Sequence, residues 1–337
     1  MIISKGSGLN DSMYGKTYYP IKKYIAHKEQ LHEGRSMIGQ LFSMESSKNF
    51  AEQYTDETDI GDFVPGREAS RYPDTDFQEG YSKVIYAYTW KNRFAITQEM
   101  IEDVKMGKIK KRASKFMSSY SRTKEKFAAA VYSGGVGTSL TFGGETFDIK
   151  CADGLALWST AHTSKTGEAD DQTNVYNSSF SYDNIGILAA LASDFRNDNG
   201  ERQNVNMDTI VVPYTTAADA LQLQSIFEVL NGDGKPDSTD RAGNYQAGRW
   251  NVKVWPFLTA PSGLTSGYSW FFLIDSEYLE DYSAMVWQNR VELSMTSYVD
   301  QNNDNNIWKA RARFGAAPTD WRYTIACIPG VGTTWPV

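Results

Sequence analysis

Cysteine and histidine are both scarce in this 337-residue chain. The two cysteines, Cys151 and Cys327, stand far apart, which excludes a disulfide framework or a zinc cluster and makes a reducing compartment the expectation. The histidines, His27, His32 and His162, fall in no HExxH or Cys/His grouping, so no metal centre of that type is expected. No apolar run approaches the ~20 residues that span a bilayer, and Met1 to Lys16 has no signal-peptide core. No membrane partner is expected, and the protein is expected to be made and used in the cytoplasm or to leave it only by lysis. A strongly basic balance is missing as well. The net charge of −7 argues against a general nucleic-acid binder.

Catalytic signatures are equally thin. Gly134 to Ser139 has the glycines of a phosphate loop but neither its lysine nor its spacing. Asp300-x-Asn302-x-Asp304 opens like a calcium loop, yet Asn305 stands where glycine is needed and Arg311 where the bidentate glutamate should be. Ser159 and His162 lie close in sequence without a G-x-S-x-G elbow. Carboxylates are abundant but dispersed, and acid/base catalysis needs a desolvated pair. The expectation is no enzyme, no cofactor and no catalytic residue. A soluble hydrolase using Ser159 and His162 is the remote alternative.

Aromatics are plentiful, at 13%, a share that suits interfaces as well as cores. Residues 1–44 are polar and irregular, either an extended arm or a flexible terminus. Between residues 45 and 80, ten carboxylates face only Lys48, Arg67 and Arg71. That stretch has too few apolar residues to bury itself and reads as a projecting loop, with Pro65-Gly66 and Pro73-Asp74 as turns. Residues 81–96 alternate as a strand, placing Val84, Tyr86, Tyr88 and Trp90 on one face and Lys83, Ala87, Thr89 and Lys91 on the other.

Residues 97–132 read as helix. At ~100° per residue, Met106, Ile109, Ala113, Phe116, Met117, Tyr120, Phe127, Ala128 and Val131 form an apolar stripe. Lys105, Lys108, Lys111, Arg112, Lys115, Arg122 and Lys126 form the opposite one. Ile101 and Val104 land among the basic residues, which predicts a break near Gly107. Lys108/Arg112, Lys111/Lys115 and Arg122/Lys126 are like-charge pairs four apart, each destabilising an isolated helix by a few tenths of a kcal/mol. Such a face is either simply solvated or has an anionic partner. The candidate partners are the acidic loop of a neighbouring subunit, with Asp56, Glu57, Asp59, Asp62, Arg67 and Arg71, and DNA.

After a Gly-rich, hairpin-like stretch over 133–180, the rhythm becomes α/β. Ile185, Leu188, Leu191, Ala192 and Phe195 share a helix face, Ala217 to Leu230 is a second helix, and Thr209–Val212, Trp250–Phe257 and Trp270–Ile274 are strands. Residues 286–314 read as a long hairpin turning at Asp300 to Asn306. Trp308, Ala310, Ala312 and Phe314 lie on one face of its second arm, and Lys309, Arg311 and Arg313 on the other. Trp321 to Ile328 is a final strand.

This order of elements resembles the Hong Kong 97 fold of tailed-bacteriophage major capsid proteins, and local sequence is similar to the major head subunits of Mu-like phages. Residues 88–103 (YTWKNRFAITQEMIED) resemble the family's entry into its spine helix. Asp153 to His162 (DGLALWSTAH), followed by Asn174, resembles its D-G-x-x-L-F-S-x-x-H-P stretch, with Trp158 for the Phe and Thr163 for the Pro. Thr209–Pro213, Asn244–Arg249, Trp270–Asp275, Arg311–Gly315 and Asp320–Arg322 resemble later landmarks in the same order. The likeness covers residues 80–328, with 1–80 matching by position and character only.

The resemblance implies an α+β capsid fold: N-terminal arm 1–50, E-loop hairpin 51–93, P-domain with spine helix 94–150, A-domain 151–285, and P-domain hairpin with a final A-domain strand 286–337. It implies self-assembly as hexamers and pentamers into an icosahedral shell around double-stranded DNA, held non-specifically. Implied partners are a portal protein, a separate scaffolding protein and, in some relatives, a decoration protein. The location implied is the virion capsid. An encapsulin-type nanocompartment shell is the alternative within the same fold.

Overall fold

The computed structural model describes residues 23, 27, 30–32, 34–60, 62–68, 71–72, 77–103, 106–222, 246, 248–264 and 269–334. Most of the expected arm, Asp74 and Asp76, Val104 and Lys105, and the expected second helix beyond Gln222 lie outside the described residues.

In chain order the strands are β1 (Ser43–Ser46), β2 (Ala51–Glu57), β3 (Glu79–Tyr86), β4 (Tyr88–Ile96), β5 (Ser139–Phe142), β6 (Glu145–Asp148), β7 (Val175–Tyr176), β8 (Thr209–Val212), β9 (Asn251–Val254), β10 (Phe271–Ile274), β11 (Met285–Val299), β12 (Asn306–Pro318) and β13 (Thr324–Cys327). They form two main sheets. One has the order β1-β11-β12-β4 and is built on the long β11–β12 hairpin. The other has the order β7-β13-β10-β8-β9. β2–β3 and β5–β6 are separate two-stranded hairpins.

A short helix, Gln98–Glu102, is capped by Thr97, whose side chain accepts from Met100 N. After a turn the long helix runs over Met106–Ser133. Its 28 residues measure about 42 Å at ~1.5 Å per residue. Ile101 fits no straight continuation of the apolar stripe, and the break explains why. The bend carries it into one cluster with Ile109, Ala113, Phe116 and Met117, packed on Ile96, Trp308 and Ala310 of the four-stranded sheet.

The second half of the same helix enters a different core. Phe127, Ala128, Val131 and Tyr132 are buried in a cluster that joins both sheets: Phe127 packs on Trp90, Trp287 and Phe314, and Tyr132 meets the five-stranded sheet. Tyr132 stacks on Phe272 at 5.0 Å, its hydroxyl donates to Leu41 O at 2.6 Å, and Trp158 Nε1 donates to Tyr132 O at 2.9 Å. Each of the four residues of β8, β10 and β13 is buried, as expected of strands covered on both faces.

Residues 81–96 depart from the expected single strand. Val84 and Tyr86 are 39% and 43% exposed, while Lys83, Ile85 and Ala87 are buried. The parity changes at Ala87, between β3 and β4, so that Tyr88 and Trp90 do pack inward. One residue out of register sends every side chain of a strand to the other face. Tertiary contacts set the change: Ala87 N donates to Phe50 O at 3.1 Å, and Trp90 stacks on Phe314 at 4.9 Å. Lys83, turned inward, is matched by Asp148 at 2.9 Å, and burial lowers its pKa against that partner.

At this crossing β12 supplies a glycine because nothing larger fits. A Cβ on Gly315 would lie 2.1 Å from Tyr86 O. Gly315→Ala is therefore expected to destabilise the subunit by at least ~1–3 kcal/mol, read as a lower urea midpoint. Gly107→Ala, where a Cβ meets nothing within 4 Å, should leave the midpoint unchanged or raise it slightly, since alanine favours the helix.

Candidate functional site

The acidic residues lie on the β2–β3 hairpin and the loop beyond it. Asp56 and Glu57 end β2, while Asp62, Arg67 and Arg71 are exposed further along. The hairpin stays closed past its strands, since Thr58 N donates to Gln78 O and Gln78 N to Thr58 Oγ1. The loop also touches the body of its own chain. Asn199 Nδ2 donates to Asp59 O, Gln203 Nε2 to Asp59 Oδ2 at 3.4 Å, and Asp62 N to Glu201 Oε1 at 3.3 Å. Beyond these contacts Phe63 and Tyr72 are 98% and 91% exposed.

Lys108, Lys111, Arg112, Lys115, Arg122 and Lys126 are all exposed on the long helix, off its buried apolar stripe. Arg112 Nη1 donates to Ala95 O at 2.7 Å. Among the described residues none of the six forms an ion pair.

A second cationic face was only half visible in the sequence. Lys309 and Arg311 share a face of β12, and pairing places Arg93 directly opposite Lys309 and Lys91 opposite Arg311. Like charges in directly opposed positions destabilise a sheet. These four line an open hollow of about 690 Å³ together with Ser294 and Thr296, and no carboxylate borders it. The helix covers the other side of this sheet, so the two cationic faces look in opposite directions. Alternation within β12 was legible; the β4–β12 register was not.

The sequence reading missed a buried charge cluster altogether. Arg322 is 7% exposed. Its Nη2 meets Asp198 at 3.1 Å, its Nη1 meets Asp320 at 3.3 Å, and its Nε donates to Arg196 O at 3.0 Å. Tyr278 Oη donates to Asp320 Oδ2 at 2.6 Å. Asp56 reaches the edge of this cluster from the hairpin. Although the residue keeps part of its surface in solvent, burial of the carboxyl and the charge of Asp320 raise its pKa to about 6. Asp320 and Arg322 are two residues apart, but no short-range motif brings Asp198, Tyr278 and Asp56 to them, since those lie far away in the chain.

His162 is fully buried and stacks on Trp321 at 4.4 Å. Its Nδ1 lies 2.6 Å from Asp153 Oδ2, and its Nε2 lies 3.3 Å from Asn174 Oδ1. Asn174 Nδ2 donates to Leu157 O and Thr324 O, which fixes the Oδ1 toward the ring. The Ser159 hydroxyl accepts from Ala161 N and has no hydrogen bond to His162. A nucleophile must reach its base. Here the imidazole spends both nitrogens tying the 153–174 segment to itself, while Asn174 Nδ2 fastens it to Thr324 O, so Asp153, His162 and Asn174 form a structural clasp. The Asp300–Asn306 turn is closed by Asx contacts, with Asn302 N donating to Asp300 Oδ1 and Asn305 N to Asn303 Oδ1. Among the described residues no three His, Cys, Asp or Glu side chains are grouped to hold a metal, and no helix is long and apolar enough to cross a membrane.

Comparison with known proteins adds three findings. The profile of the phage capsid protein family matches residues 80–326. No curated protein matches the chain. Among solved structures, the capsid of Ralstonia phage GP4 superposes with a TM-score of 0.55 at 10% identity, covering 87% of this chain and 91% of that one. A chain of Mycobacterium phage Cain gives 0.49 at 14% identity, covering 90% and 91%. The capsid of an empty GTA particle computed with C5 symmetry gives 0.49 at 12% identity, covering 88% and 90%. At such identities the likeness to the Ralstonia phage capsid concerns the fold.

Two outcomes follow from the buried cluster. Arg322→Ala leaves Asp198 and Asp320 without their counter-charge and is expected to cost ~3–5 kcal/mol of subunit stability in urea unfolding. Because the folded pKa of Asp56 is raised, its contribution is fully present at low pH and is lost as pH rises through about 6. Asp56→Asn should therefore raise the thermal midpoint at pH 8 and leave it unchanged at pH 4.

Proposed function

The chain belongs to the phage capsid protein family, and from that premise we propose that it forms the head of a tailed bacteriophage, as hexamers and pentamers closed into an icosahedral shell around double-stranded DNA. It is a structural major capsid protein with the Hong Kong 97-like fold, and it self-assembles in the virion capsid. The observation that carries the reading is the family match across residues 80–326.

The finer reading takes residues 1–50 as the arm, 51–93 as the E-loop, 94–150 and 286–337 as the peripheral part and 151–285 as the axial domain, in the Mu-like branch. It has no enzymatic activity and no cofactor. Its shell is built in the host cytoplasm with a portal and a separate scaffold, with room for a decoration protein. The clasped state of His162 supports a structural role over the hydrolase alternative. An encapsulin-type shell is not favoured, because the family and the superposed Ralstonia structure are both of phage capsids.

In this reading Asp56, Glu57, Asp59 and Asp62, with Arg67 and Arg71, meet a cationic face of a neighbouring subunit. Lys108, Lys111, Arg112, Lys115, Arg122 and Lys126 are one such face. The sheet face looks the opposite way, so in a single-layered shell only one of the two can line the interior. The other is left for a protein neighbour. The face toward the genome would hold phosphates without reading sequence.

Negative-stain microscopy and size exclusion of the protein, alone and with its neighbouring genes, test the assembly reading. Shells, tubes or capsomers are expected, and a small discrete oligomer under every condition would overturn it. Asp59→Lys with Asp62→Lys should block shell formation while the circular dichroism of the subunit stays unchanged. Normal shells from that variant would reject the loop pairing.

A further inference from the structure

We infer that in the free subunit the acidic loop is held against its own body by a polar latch, and that shell assembly requires the latch to open. The inference rests on the reading that this loop reaches a neighbouring subunit.

The two ends of the hairpin are fastened differently. At its root Ile85 is buried on Val286 and Ala317, beside Ala87. This apolar seat ties the hairpin to the β11–β12 pair and is the natural pivot. Among the described residues the far end meets the body through polar contacts and through Lys165 Nζ, 4.9 Å over the Tyr81 ring. Asp59 O accepts from Asn199 Nδ2, Asp59 Oδ2 from Gln203 Nε2 and Glu201 Oε1 from Asp62 N, while Tyr81 Oη and Thr163 Oγ1 lie 3.2 Å apart. Between root and far end lies a cavity of about 190 Å³ lined by Tyr54, Asp56, Tyr81, Tyr282 and Asp320. Among the described residues no apolar cluster lies beyond the root, and the distal half is held to the body by a few hydrogen bonds and the Lys165–Tyr81 contact.

The receiving side is prebuilt. Asn197 N donates to Glu201 O and Glu201 N to Asn197 Oδ1, both at 2.9 Å, while Arg196 Nη1 donates to Gly200 O at 2.6 Å. Gly200 takes φ 82°, a conformation that suits glycine, and a Cβ there would lie 3.0 Å from Glu168 O. The 197–203 loop thus keeps its shape with or without the hairpin. The balance of charge is set against tight closure. Asp56, Glu57 and Asp59 from the hairpin face Asp198, Asp320 and Glu201, and the one cation among them, Arg322, is already engaged by Asp198 and Asp320. Each exposed hydrogen bond shifts an equilibrium by roughly two- to tenfold, so a few of them hold the loop yet yield to a modest intersubunit contact. Phe63 and Tyr72, exposed beyond the latch, would then meet the neighbour.

The test uses the body side of the latch, leaving the loop and both cationic faces intact. In Asn199→Ala/Gln203→Ala, tryptic cleavage at Arg67 and Arg71 in the unassembled full chain should speed up several-fold, and the threshold concentration for shell formation should fall several-fold. Unchanged cleavage would show that no latch exists. Faster cleavage with an unchanged or higher threshold would show that the latch does not gate assembly. Should the double variant fail to fold, Gln203→Ala alone, which removes only the 3.4 Å contact to Asp59 and the 3.5 Å contact to Tyr278, takes the same two readouts. The cleavage assay needs no shell, so it stands even if Asp59→Lys/Asp62→Lys assembles normally and the neighbour contact itself is wrong.

Discussion

The apolar stripe of the long helix is the interaction on which the rest of the subunit depends. Its first half, through Ile109, Ala113, Phe116 and Met117, covers the four-stranded sheet, and its second half runs from Phe127, packed on Trp90 and Phe314 of that sheet, to Tyr132, stacked on Phe272 of the five-stranded one. Neither sheet could exclude water from that face alone. Burying a large side chain is worth about 1.5–3 kcal/mol, so one element contributes to both cores and fixes the sheets relative to one another. The β11–β12 hairpin makes the second tie, running from Met285 and Trp287 in the larger core to Trp308 in the smaller one.

A helix so firmly seated can carry an unfavourable surface. Three like-charge pairs on its outer side and two opposed cation pairs on the sheet are small costs beside that burial. In an isolated globule they would be costs without return. Under the proposed pairing the same charges would repeat at every subunit contact of a shell, where individually weak ion pairs of ~1 kcal/mol or less would act in number. The acidic excess is concentrated in the one segment that cannot bury itself, residues 45–80. The subunit therefore separates its charges by sign, with the β2–β3 hairpin and its loop carrying one and two faces of helix and sheet carrying the other.

The buried polar groups follow a different logic. Arg322 with Asp198 and Asp320, and Asp153 with His162 and Asn174, are enclosed and mutually satisfied. An unpaired buried charge is expensive, and a paired one fixes geometry. Both groups pin the loops around residues 153–203 to the end of β12 and to β13, where the chain returns to close the larger sheet.

Periodicity was legible wherever one element decides its own burial. The helical stripe, the break before it, the β11–β12 hairpin and the alternation of β12 all follow from spacing, because side-chain direction along a regular element is local geometry. Register and parity were not legible. Val84 and Tyr86 face outward because Ala87 and Gly315 set a crossing between segments more than two hundred residues apart. The face shared by Lys91, Arg93, Lys309 and Arg311 exists only once β4 pairs with β12. Ile101 joins the core only because the chain bends after Glu102. By itself, then, the sequence determined which residues form elements and which faces of them are apolar or charged. Which faces meet, which carboxylates surround Arg322 and where the acidic loop rests were decided by tertiary packing, since those contacts join residues whose separation in the chain carries no periodic signal.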